Sequence, residues 1–152
     1  MKPVDSNITG LYTRSVACWI KTNSTSNYQY LMSIGNRGSA NVWGISLEAG
    51  TGFTYAYDST NQASYSTTNP VADGQWHFIC VNDTGNNKTI YVDGRLIHTV
   101  ATSPHTISSD CNYYVGAFGG SSSLSYVFLG SLALQRFSHT MPSAEQINKN
   151  VQ

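Results

Sequence analysis

Residues 76–98 constrain the fold more than any other part of this 152-residue chain. Trp76-His77-Phe78-Ile79-Cys80-Val81 is apolar on both alternating faces, so as an extended strand it needs cover on both sides and belongs at the centre of a sheet. The turn-forming residues 82–87 follow, and Thr89-Ile90-Tyr91-Val92 returns as the partner strand. Asp93-Gly94, the preferred pair for a two-residue type I′ turn, then leads into Arg95-Leu96-Ile97-His98. Three consecutive antiparallel strands are predicted, with Trp76 in the core.

Short runs rich in β-branched and aromatic residues recur on either side, at 16–20, 30–34, 42–47, 53–57, 113–116, 126–129 and 131–137. Such runs between turn signals are the pattern of an all-β sandwich or barrel. The Gly/Ser stretch 119–123 is too short for a domain linker and reads as a hairpin loop, which leaves residues 1–152 as one domain. Helix is predicted once, where Ser143 and Gln146 have the spacing of a capping box.

Charged residues make up 11% of the chain and the formal net charge is zero, against roughly 25% charged in an average soluble domain. That balance implies neither nucleic acid nor an acidic membrane surface as partner. Ser, Thr, Asn, Gly and Tyr take the place of charge and suit neutral hydrogen-bonding ligands such as sugars. Met1-Lys2-Pro3-Val4-Asp5 is followed by no apolar stretch long enough for a signal peptide or a membrane span. An export signal already removed, excision from a larger chain, or another route of delivery each fits that start. Cys18, Cys80 and Cys111 form no metal-binding spacing; buried thiols are the ordinary reading, with a single bridge left open. Four sequons begin at Asn7, Asn23, Asn82 and Asn87, which would mark surface loops on a eukaryotic secretory route.

The order of these pieces resembles the laminin G-like and pentraxin-like families of the concanavalin A-like lectin superfamily, over most of the chain. The resemblance rests on Asp73-Gly74-Gln75-Trp76-His77 followed by Tyr91-Val92-Asp93-Gly94, on the Trp-containing run 16–21, and on a closing segment of Phe128-Leu129-Gly130-Ser131-Leu132, Arg136-Phe137 and 141–147. It implies an antiparallel jelly-roll β-sandwich with a short C-terminal helix. It also implies a lectin-like, extracellular, cell-surface or virion setting, as in an adhesin or a phage tail. Where that closing segment usually carries acidic residues this chain has Ala133 and Leu134, so a calcium site of that kind is unsupported and no cofactor is expected.

Catalysis finds no footing in the residues. Glycan-cleaving members of the superfamily use close carboxylates on one strand, as acid and as nucleophile or base. Here no two acids stand nearer than ten positions apart. His77 has no carboxylate beside it in sequence, and His98, His105, Asp110 and Cys111 match no zinc spacing. The chain is therefore expected to bind rather than to catalyse, with a glycan or cell-surface glycoconjugate as ligand. A structural module packing against partner chains is the alternative, and a glycan-active enzyme the next. Glycans are held by aromatic faces and hydrogen-bonding side chains, which places the expected contacts on Arg37, Trp43, Tyr55 and Tyr57, with Tyr113 and Tyr126 in reserve. Trp43 beside Gly44 is attractive because a glycine next to a ring lets a flat ligand approach the backbone.

Overall fold

The computed structural model describes residues 13–26, 28–35, 42–48, 53–58, 62–63, 71–102, 107, 112–119, 124–149 and 151, with backbone alone at 53–58, 62–63, 119 and 124–125. The strands are β1 (Arg14–Lys21), β2 (Gln29–Ile34), β3 (Trp43–Glu48), β4 (Phe53–Asp58), β5 (Gln62–Ala63) and β6 (Trp76–Asp83). They continue with β7 (Asn87–Val92), β8 (Arg95–Ala101), β9 (Tyr113–Val115), β10 (Phe118–Gly119), β11 (Leu124–Ser125) and β12 (Ser131–Ser138), and the helix α1 (Ala144–Lys149) follows. One sheet has the order β12-β1-β6-β7-β8, the other β5-β4-β3-β2-β9, and β10 pairs with β11. All pairings of named strands are antiparallel, so the expected β-sandwich is the observed one.

Alternation builds the core. Val16, Cys18 and Ile20 of β1 and Ile79 and Val81 of β6 point inward from the first sheet. They meet Met32 and Ile34 of β2 and Trp43, Ile45 and Leu47 of β3 from the second. The other face of the first sheet is covered by α1, whose Ile147 packs on Phe78 and Cys80. The capping box forms as predicted: the Ser143 amide donates to Gln146 Oε1 at 2.8 Å and the Gln146 amide to Ser143 Oγ at 3.3 Å.

The three-strand reading of residues 76–98 holds, including its turn, where Asp93 (φ 49°) and Gly94 (φ 78°) both take left-handed backbone. Two details differ. Trp76, expected in the core, is 44% exposed, because it opens β6 while the cover over that face reaches Phe78 and Cys80. His77 has carboxylate partners after all. Its Nδ1 lies 2.8 Å from Asp93 Oδ2 and its Nε2 3.1 Å from Asp73 Oδ1. Asp93 also accepts the Phe78 amide at 2.9 Å, and Asp73 the Gln75 amide at 2.8 Å. One side chain thus joins the two halves of the motif, a tie between positions sixteen apart that no local spacing reveals.

Two further expectations are corrected, at residues 126–129 and at Asn82, and the reading of Cys18 and Cys80 as buried thiols is met. Residues 126–129 form no strand; Val127 makes only an isolated bridge to Tyr30, and Tyr126 turns left-handed at φ 53°. Cys18 and Cys80 are free thiols on opposite faces of the first sheet, one in the core and the other under α1. Burial pushes the first up to about 12 and the second to about 11, which keeps both protonated and unreactive; Cys111 lies outside the described residues. Asn82 is buried in β6 instead of marking a loop.

Candidate functional site

Among the six residues expected to contact ligand, Trp43 is removed by its burial. It is fully enclosed, and its indole Nε1 donates to Asp83 Oδ2 at 2.8 Å while the Arg14 guanidinium stands 5.7 Å from its ring. Lys88 Nζ lies 3.9 Å from the same carboxylate oxygen, and the Gly85 amide donates to Asp83 Oδ1 at 2.7 Å. The indole satisfies a buried charge, and no face is left for a ligand. The space above Gly44 is taken as well, since a Cβ there would meet Tyr30 Cε1 at 2.9 Å. The ring that approaches the glycine is the chain's own.

Tyr113 is also turned to packing. It lies against the core, edge-on to Phe137 at 6.3 Å, with its hydroxyl 3.8 Å from Met32 Sδ. Burial, then the neighbouring Cys18, pushes that hydroxyl up to about 12. Arg37 lies outside the described residues. Tyr55 and Tyr57 are described by backbone alone: their positions pair with Ser46 and Gly44 of β3, on the face opposite that of Trp43.

Tyr126 is different. It is 43% exposed, and its ring centroid lies 5.7 Å from that of Tyr28, near edge-to-face at 69°; Tyr28 is itself 44% exposed. Beneath them Tyr30 and Phe118 stack at 4.5 Å, both buried, and each lies within 6.3 Å of Tyr126. Tyr30 pairs with Ser46, so this aromatic cluster shares its sheet face with strand positions 55 and 57.

The two exposed rings are held on fixed loops. Tyr28 and Tyr126 take φ of 54° and 53°, a left-handed conformation uncommon for a large side chain and sustained only where the surroundings impose it. Gln29, buried between them, supplies part of that constraint. Its amide nitrogen donates to the Ser24 and Ser26 carbonyls at 3.0 and 3.2 Å, and its Oε1 accepts the Leu129 amide at 3.0 Å. The Tyr30 amide donates to the Tyr126 carbonyl at 2.9 Å. The backbone that carries both rings is thus tied in place, which lowers the ordering cost of stacking on a ligand. Sequence reading singled out Tyr126 and missed Tyr28, because the two meet only through a contact across about a hundred residues.

No group of three or more potential metal ligands gathers among the described residues, and no described helix is long and apolar enough to cross a membrane. His105, Asp110 and Cys111 of the weighed zinc set lie outside those residues.

Comparison with known proteins places the fold. The carbohydrate-binding module CBM40 of the Ruminococcus gnavus IT-sialidase, in its structure bound to α2,3-sialyllactose, superposes with a TM-score of 0.72 at 16% identity, over 94% of this chain and 84% of that one. A heptameric SAP-like pentraxin from Limulus polyphemus gives 0.72 at 16% identity, over 95% and 72%. Domains LG4-5 of the mouse laminin α1 chain give 0.67 at 12%, over 94% and 40%. At these identities the likeness is one of fold. No curated protein matches by sequence. The laminin G-like family model described as the concanavalin A-like lectin/glucanases superfamily, however, matches residues 3–148, nearly the whole chain, and the chain belongs to that superfamily.

Proposed function

We propose that residues 1–152 act as one non-catalytic carbohydrate-binding domain, working outside the cell, on a cell surface or on a virion. The glycan is taken on the outer face of the β5-β4-β3-β2-β9 sheet. The observation that carries this reading is the pair Tyr28 and Tyr126, two half-exposed rings fixed on a buried Tyr30–Phe118 base. Sugar rings present C–H faces that stack on such platforms, with hydroxyls left for polar neighbours. Tyr55 and Tyr57, placed by register on the same face, and Arg37 are proposed as further contacts. The sialyllactose-bound neighbour supports the reading by showing this fold holding a glycan.

A glycan array followed by calorimetry on the best ligand tests it. Tyr126→Asn keeps a residue that tolerates left-handed backbone and deletes the ring. It is expected to weaken binding by about 1–3 kcal/mol, the usual cost of losing one stacking platform, which is roughly 5- to 150-fold in Kd. An unaltered Kd moves the site elsewhere. Val127 and Leu129, 49% and 54% exposed beside the tyrosines, favour a second reading in which this patch packs against a partner chain. Silence on the array together with a multimeric mass in solution would select it.

A further inference from the structure

The opposite face of the sandwich carries a concavity, independent of the tyrosine platform. A cavity of about 480 Å³ lies over the β12-β1-β6 part of the first sheet, beside α1, within the size range of small-molecule sites. Trp19 and Phe78, with ring centroids 5.6 Å apart, are among its lining residues. Leu134 and Met141 also line it, 82% and 43% exposed.

Leu134 owes its exposure to a break in the β1–β12 ladder. Ala17 pairs with Arg136 and Trp19 with Ala133, so Cys18 faces two residues, and Leu134 takes φ 49° in the resulting bulge. A leucine in left-handed backbone is strained, and strain of this kind clusters where a side chain is aimed for use. Arg136, paired with Ala17 in the regular part of the ladder, lies on the cavity wall. Lys149, the other lining cation, pairs with Glu145 at 2.8 Å. No acidic side chain is among the described lining residues, and none of the described acids pairs with Arg136.

We infer that this cavity binds a small amphipathic carboxylate, its apolar body against Trp19, Phe78, Leu134 and Met141 and its carboxylate on the Arg136 guanidinium. Exposed aliphatic side chains at the wall match a hydrocarbon better than a hydroxylated ring. The guanidinium fork matches a carboxylate bidentately. The cavity lies beyond the glycan reading and shares none of its residues.

Octanoate, 1-octanol, acetate and glucuronate, titrated calorimetrically into the whole chain, test the inference, with the Trp19 indole resonance assigned through Trp19→Phe. Octanoate is expected to bind at least about tenfold more tightly than the other three and to shift the Trp19 resonance. Arg136→Gln is expected to cost octanoate about tenfold or more, as losing a charge-assisted bond does, while 1-octanol is unaffected. Absent octanoate binding, equal binding of 1-octanol or glucuronate, an unchanged Kd in Arg136→Gln, or a stationary Trp19 resonance would each overturn it. Tyr126→Asn is expected to leave octanoate binding intact, so the two proposals fail separately.

Discussion

At the scale of single residues, Trp43 and Trp76 differ sharply in cover, and only the second departs from the core position that its strand suggests. Trp43 fills the core and donates to a buried carboxylate, so Trp43→Ala is expected to destabilise by about 3–5 kcal/mol. Trp76 is nearly half exposed, so Trp76→Ala is expected to stay below about 1.5 kcal/mol. Urea unfolding of the two variants checks the contrast, and equal losses would contradict the burial pattern. Strand alternation was legible at both positions. What decides each fate is tertiary: Asp83 stands forty positions from Trp43, and the cover for β6 comes from a helix some seventy positions beyond it.

At the scale of elements, the turn between β7 and β8 was readable because Asp-Gly carries its own conformational preference. Its connections were not. Asp93 is tied to His77 and to the Phe78 amide, and a Cβ on Gly94 would meet the Asn148 side-chain oxygen, with Val151 Cγ2 at 3.5 Å. Gly94→Val is therefore expected to lower stability through its positive φ and also to loosen α1, visible as faster amide exchange at residues 147–149 than at β6. Exchange accelerated equally everywhere would argue against this local coupling.

The same motif has a titration signature. Burial pushes the His77 pKa down, but the hydrogen bonds to Asp93 and then Asp73 outweigh it, leaving the pKa above 6.5. Folding thus favours the protonated imidazole, so its contribution is fully present below pH 6.5 and is lost as pH rises through the elevated folded value. Asp73 runs the other way: the Gln75 amide and then His77 hold its pKa below 3.8. Its share is present above pH 3.8 and fades as pH falls through the depressed value. The gap in melting temperature between the parent and His77→Gln is expected to be widest near pH 5 and to narrow above pH 7. A gap that does not vary with pH would refute the ionic role.

At the scale of the whole molecule, the sandwich presents two outer faces of different chemistry. One carries half-exposed tyrosines; the other carries a cavity of mixed apolar and polar lining with the cations Arg136 and Lys149, walled in part by a helix. Periodicity and capping made an all-β sandwich or barrel and its helix legible, and the family resemblance selected the sandwich. The platform and the cavity depend on a glutamine clamp, a ladder break and contacts between distant segments, none of which has a local sequence signature.

The pairing of β1 with both β6 and β12 has a consequence for biosynthesis. Contacts between residues far apart in sequence slow folding, because the intervening chain must close before any pairing rewards it. During translation β1 can find β6 once residue 83 has emerged, yet its other edge stays open until 131–138 follow, exposing unpaired amides and carbonyls to neighbouring chains. Ribosome-arrested chains stopped at residue 130 should therefore be digested readily by protease, whereas chains whose emerged part includes β12 and α1 should resist.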